Sequence, residues 1–233
     1  MLLSRPMATI RVRRKPADAY QHGDLREALI QAGLKLLTEG GVAALGLRAA
    51  AQLAGVSHAA PYRHFRDKDA LVDAIGERGF RMLTAAMQGQ IARVTTADTP
   101  ARLRASGVGY VSFALQNPGY FRVIFSGLIA HTDASPALRA AGDEAYGVLR
   151  GLIVEGLSDG SLGGADPDSL SLAAWSLVHG LSMLAIDGQL SPFGDAGQLA
   201  DRVTRQMLGL LEAGIAPRAP ASLPARQTAK RRG

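Results

Sequence analysis

Apolar residues return every third or fourth position along most of this chain, and no stretch alternates them with polar ones. A period near 3.6 lays them on one face of an α-helix, whereas a strand needs a period of two, so the sequence predicts an all-α protein. Leu25, Ala28, Leu29, Ala32 and Leu36 carry the first stripe, from Asp24 to Glu39, with Gly40-Gly41 as the expected stop. Glycine and proline then divide the rest. Helices are expected over Leu47–Ala54, Ser57–Phe65, Asp69–Ile91, Pro100–Gln116, residues 120–130, Ala137–Leu157, Leu170–Leu184 and Gly197–Ala213. On Leu47–Ala54, Ala50, Leu53 and Ala54 are expected to share a face.

The stretch GVSHAAPYRHF, residues 55–65, is the most informative of them. Proline lacks an N–H and crowds the carbonyl one turn back, so Pro61 requires a helix that has only just begun. Ser57 is the expected N-cap, with His58, Ala59 and Ala60 as the first turn. A short helix, a Gly55 turn and a second short helix make a helix-turn-helix, whose second element lies in the DNA major groove. Ala59 and Ala60 are small enough to meet a thymine methyl, and His58 can bond a base or a phosphate. Tyr62, Arg63, His64 and Lys68 suit phosphates, as does Arg48 at the start of the preceding helix. Tyr62 is also a residue that can cap a small core, and Phe65 is expected to be core.

Charge agrees with a polyanionic partner. Residues 1–70 hold 11 Lys/Arg against 6 Asp/Glu, residues 71–216 hold 10 against 14, and residues 217–233 hold 5 against none. Phosphate neutralisation supplies most sequence-independent affinity for DNA, although a solvated charge pattern has the same arithmetic. Residues 1–19, with Arg11, Arg13, Arg14 and Lys15, are expected to be a flexible basic arm, and residues 216–233 a basic tail. The domains between them are expected at 20–68 and 69–215. No apolar run is seen that approaches the roughly 18 residues of a membrane span. With no cysteine and no secretory signal, a soluble cytoplasmic protein is expected, without a membrane partner.

Tyr20 to Leu71, YQHGDLREALIQAGLKLLTEGGVAALGLRAAAQLAGVSHAAPYRHFRDKDAL, resembles the DNA-binding domain of TetR-type bacterial repressors, through AGVS, YRHF and the following Lys68. Further on, AWSLVHGLSMLAIDG resembles the Trp…His-Gly signature of one subgroup's C-terminal domain, carried by Trp175, His179 and Gly180. The resemblance implies a homodimer with a three-helix DNA-binding domain and a helical C-terminal domain that binds a small inducer. Many members have Ser or Thr before the second helix. This chain has Gly46 there, so a capping hydroxyl is missing.

The expected partners are therefore double-stranded DNA, a small-molecule effector and a second copy of the chain. Tyr110, Phe113, Phe121, Phe125, Trp175, His179 and Met183 are candidates to line an apolar pocket, and equally the residues an ordinary helical core requires. Leu177, Leu181 and Leu184, with Val203, Met207 and Leu210, are candidates for the dimer interface. No cofactor and no metal site is expected, because the five histidines show no i, i+4 pair and there is no thiolate. An architectural DNA-binding protein without effector is the nearest alternative. A helical enzyme lacks any phosphate-cradling loop, HExxH or nucleophile elbow to support it.

Overall fold

The structure, a computed structural model, describes residues 22–96, 98–127, 129, 134–163 and 166–190. Among these residues every regular element is helical: α1 (His22–Ala44), α2 (Leu47–Ala54), a 3₁₀ turn (Ala60–Arg63), α3 (Lys68–Ile91), α4 (Thr99–Gln116), α5 (Pro118–Ile124), α6 (Pro136–Ser158) and α7 (Pro167–Ile186). The all-α fold expected from the apolar period is what forms. The last expected helix, 197–213, and both basic termini lie outside the described residues.

The stop expected at Gly40-Gly41 forms as a break: Gly41 leaves helical geometry (φ 67°, ψ −167°), and a further helical turn beyond it runs to Ala44. Three boundaries differ from the sequence reading, each for a local reason. Ser57 does not cap a helix: the segment after it is a single 3₁₀ turn whose N-cap position is Ala59, with no side-chain bond. α5 ends at Ile124, where Phe125 leaves helical geometry (φ −110°, ψ 7°). α7 begins earlier than its apolar stripe, because the Asp166 carboxylate accepts from the Asp168 and Ser169 amides ahead of Pro167. The Ser169 side chain first, and then the Ser169 amide, hold the Asp166 carboxyl below its ordinary range.

α7 also corrects the expectation about apolar runs. Over its 20 residues it is long and apolar enough to cross a membrane by length and composition. Serine, alanine and glycine interrupt its leucines, so no continuous run is visible although the average is high. A helix packed within a helical domain passes the same test.

The chain forms two compact units. Among the described residues the division falls after Ala85, Leu115 and Ala145, with the segments before Ala86 and from 116 to 145 in the first unit and the others in the second, so α3 and α6 each contribute to both. In the first, Leu29 and Ile30 of α1, Phe65, and Leu71 and Ile75 of α3 are all but fully buried. α5 is held against α1 by Gln31, whose amide donates to the Tyr120 hydroxyl at 2.9 Å. Burial, and then the nearby Glu27 carboxylate, push the Tyr120 hydroxyl above its ordinary pKa. In the second unit Leu103, Leu152, Ile153, Leu162 and Ala174 form one core. There α3 and α4 touch backbone to backbone: a Cβ on Gly109 would sit 2.6 Å from the Ala86 carbonyl oxygen.

Candidate nucleic-acid interface and effector cluster

α2 buries Leu47, Ala50 and Ala51 and leaves Leu53 exposed, so the buried face lies one step round from the expected one. It ends at Gly55, which takes the left-handed conformation (φ 72°, ψ 26°). The Gly55 amide reaches the Gln52 carbonyl at 3.2 Å and the Val56 amide the Ala51 carbonyl at 3.0 Å, a Schellman closure that turns the chain sharply.

After the turn, the Ala60 amide donates to the Ser57 carbonyl at 3.0 Å, and the His64 and Phe65 amides both reach the Pro61 carbonyl at 2.9 Å. That accounts for the proline. Its missing N–H falls in the first turn, where no bond is lost, while its carbonyl closes the turn and its ring is buried. Phe65 is core, as expected, with the Arg26 guanidinium 5.7 Å from its ring centre.

Pinned in this way, the turn presents Ser57, His58, Ala59, Tyr62 and Arg63 to solvent, with Ala60 and His64 half-buried. Tyr62 is 54% exposed, so it does not cap the core. Arg48 is exposed on α2. Lys68 is half-buried, and its ammonium donates to the Val42 carbonyl at 3.2 Å, tying the end of α1 to the start of α3 while two of its three donors remain for other acceptors. Sequence reading missed Asp67, which accepts from the Ala70 amide at 2.8 Å and so opens α3. An Asp three residues ahead of a helical amide was the available signal. Gly46 precedes α2 in extended geometry with no side-chain cap, as the missing hydroxyl implied.

The pocket candidates fall into groups by their contacts. Tyr110, Trp175 and His179 are joined: the indole N–H donates to the Tyr110 hydroxyl oxygen at 3.1 Å, which lies 2.9 Å from His179 Nδ1. An indole nitrogen can only donate, so the tyrosine oxygen accepts from Trp175, and the direction of its second bond, to His179, follows the imidazole tautomer. Burial is the main cause that pushes the Tyr110 hydroxyl far above its ordinary pKa, and desolvation pushes His179 below its own. Both shifts keep the trio uncharged. Tyr146 packs edge-on against Trp175, their centres 6.4 Å apart. Phe113 is buried and Met183 half-buried on the same two helices, α4 and α7.

Phe121 and Phe125 form a separate aromatic group in the first unit, 4.9 Å apart, with Phe80 at 6.0 Å from Phe125. Of the interface candidates, Leu181 is buried within its own chain, Leu177 is half-buried and Leu184 is 48% exposed. Val203, Met207 and Leu210 lie outside the described residues.

A short helix, a glycine turn and a second short element that presents its side chains outward define a helix-turn-helix DNA-binding protein. Comparison with known proteins narrows the class. Residues 29–75 match the model of bacterial regulatory proteins of the tetR family, and residues 103–207 match that of the tetracyclin repressor-like C-terminal domain. The Trp175, His179 and Gly180 signature falls inside the second match. A protein of unknown function from Rhodococcus sp. RHA1 is similar at 33% identity, with a TM-score of 0.73, over 86% of this chain and all of its own. The TetR family transcriptional regulator PfmR from Thermus thermophilus is 23% identical with a TM-score of 0.63, over 82% of this chain and 97% of that one. The fatty acid degradation regulator FadR from Bacillus halodurans shares the fold at 14% identity, with a TM-score of 0.66, over 82% of this chain and 97% of its own. The chain belongs to the TetR family and is a transcriptional regulator.

Proposed function

We propose that this regulator is a non-catalytic, cytoplasmic repressor that binds a palindromic operator as a homodimer and is released by a small-molecule effector. The observation that carries the DNA half of this reading is the Pro61-closed turn, which holds His58, Ala59 and Tyr62 outward on a buried base. His58, Ala59 and Ala60 read bases; Arg48, Ser57, Tyr62, Arg63, His64 and Lys68 position the protein on phosphates. Two copies of the turn, about 34–36 Å apart, meet successive major grooves. Exposed Leu172 and Leu184, with half-buried Leu177, support α7 as part of the dimer contact.

The hydrogen-bonded Tyr110, Trp175 and His179 are the polar groups we assign to effector recognition, with Phe113 and Met183 beside them. An effector that binds better to a conformation with the wrong half-site spacing shifts the population away from DNA by its differential affinity. α3 starts directly after the recognition turn and is the lever of this reading. The domain limits proposed are 20–68 for DNA binding and 69–215 for effector binding and dimerisation.

Genome-wide footprinting tests the proposal by yielding the palindrome and the neighbouring genes. On that operator, Tyr62→Ala and Lys68→Ala should weaken binding to every sequence, whereas changes at His58 or Ala60 should alter base preference. Equal behaviour of the two sets overturns the division of roles. Binding that fades to generic affinity as salt rises would favour the architectural alternative.

A further inference from the structure

The start of α1 and the middle of α3 enclose a cleft of about 270 Å³ within the first unit. Arg26 and Glu27 reach it from α1, and Glu77, Arg78 and Arg81 from α3. Beside Arg78 its wall is apolar, because Met82 and Ala85 follow on the same face of α3 at helical steps.

The two signs of charge in the cleft are not equally satisfied. Glu77 accepts from Arg81 at 2.8 Å and Glu27 from the Gln31 amide at 2.9 Å, so each carboxylate has a close donor on its own helix. The guanidinium groups that face across the cleft are held less closely: Arg26 lies 3.9 Å from Glu77, and Arg78 lies 3.5 Å from Glu27. Charge-assisted hydrogen bonds close to about 2.7–2.9 Å, so both cross-cleft pairs leave N–H donors for another acceptor. Exposed pairs of this kind contribute little, and a ligand displaces them at small cost. Arg26 is positioned by more than its pair, since the buried Phe65 ring has its centre 5.7 Å from the guanidinium carbon.

Three guanidinium groups against two carboxylates leave the cleft one positive charge. A single negative charge balances it, whereas a second would meet Glu27 and Glu77 without a counter-ion. The apolar wall suits an occupant whose remainder is uncharged and apolar.

We propose that this cleft is a binding site for a small organic monocarboxylate with an apolar body. Arg26 and Arg78 share its carboxylate, and its body lies along Met82 and Ala85. Planar guanidinium groups present paired N–H donors that match the two oxygens of a carboxylate. The site belongs to the first unit and the Tyr110, Trp175 and His179 cluster to the second, so it is additional to that cluster.

Calorimetric titration of the full-length protein with benzoate and with benzamide, alike in shape and different in charge, tests the proposal at fixed ionic strength. Wild type should bind one benzoate per chain, about tenfold more tightly than benzamide. Arg78→Gln should bind the two alike, and Arg150→Gln, which changes an exposed arginine on α6 outside the cleft, should keep the preference. Unchanged melting shows that the variants are folded; Arg26→Gln, on the facing wall, repeats the test should Arg78→Gln melt lower. No saturable binding of benzoate, equal affinity for benzamide in wild type, or a preference that survives in both Arg78→Gln and Arg26→Gln overturns the site. Loss of the preference in Tyr110→Phe instead places benzoate at the other cluster and overturns the cleft equally. Operator release by other compounds decides the effector reading on its own, whichever way the titration falls.

Discussion

The recognition turn and the Tyr110–Trp175–His179 cluster are held together in opposite ways. Between Leu47 and Phe65 the ordering bonds are backbone to backbone and span at most five residues, which leaves the side chains exposed and available to a partner. In the cluster the bonds are side chain to side chain and join residues 65 and 69 positions apart, so the chemistry of the site is also part of what packs the helices. A surface built the first way changes its specificity by substitution without losing its shape. One built the second way cannot exchange a residue without disturbing the packing around it.

Substitutions can break that contrast, and the largest effect is expected where the second unit brings backbones together. Gly109→Ala places its Cβ within 2.7 Å of both the Ala86 carbonyl oxygen and Met87 Cα, contacts with no flexible end to yield, and should cost about 3 kcal/mol in chemical denaturation. Tyr110→Phe removes the oxygen shared by Trp175 and His179 and should cost about 1.5 kcal/mol. An equal cost from Tyr62→Ala would erase the distinction between the regions.

The pH dependence of stability sharpens it. Desolvation lowers the folded pKa of His179 below its ordinary value near 6.5, so the unfolded chain binds the extra proton first. Its contribution is therefore complete above that ordinary value and falls as pH drops through it toward the folded pKa. Melting curves of wild type minus His179→Gln should show this decline setting in as pH falls through about 6.5. The smallest effect is a gain. Gly46→Ser has extended geometry and open space for its side chain, caps α2 and should add about 0.3 kcal/mol.

Much of the DNA-binding half was legible because its logic is local. Gly55, Pro61 and the apolar stripe of α1 each act within a few residues of their own position, and the sequence pattern placed α2 and α3 almost to the residue. What local pattern misjudged was the type of helix after Ser57, since one turn that opens with Pro61 can close as 3₁₀ with the same residues facing out. The face of α2 was misjudged for a related reason. Over eight residues rich in leucine and alanine, two stripes fit the period, and contact with α1 selects the one with Leu47 and Ala51 inward.

The other half was legible as helices but not as a site. Tyr110 and Trp175 were singled out as aromatic residues on separate helices, and nothing in their spacing says that an indole donates to that hydroxyl. The cleft between α1 and α3 was not singled out at all. Arg26 and Arg78 are ordinary helical arginines in the sequence, and they face one cleft only once α1 and α3 pack side by side.

The order of amino acids alone determined that the chain is helical, where most helices begin and end, and which segment forms the helix-turn-helix, because period, capping and proline sterics operate over a few residues. Tertiary structure decided which polar groups meet, which arginines share a cleft and which glycines admit a neighbouring backbone, because those outcomes depend on distances between residues the chain itself holds far apart.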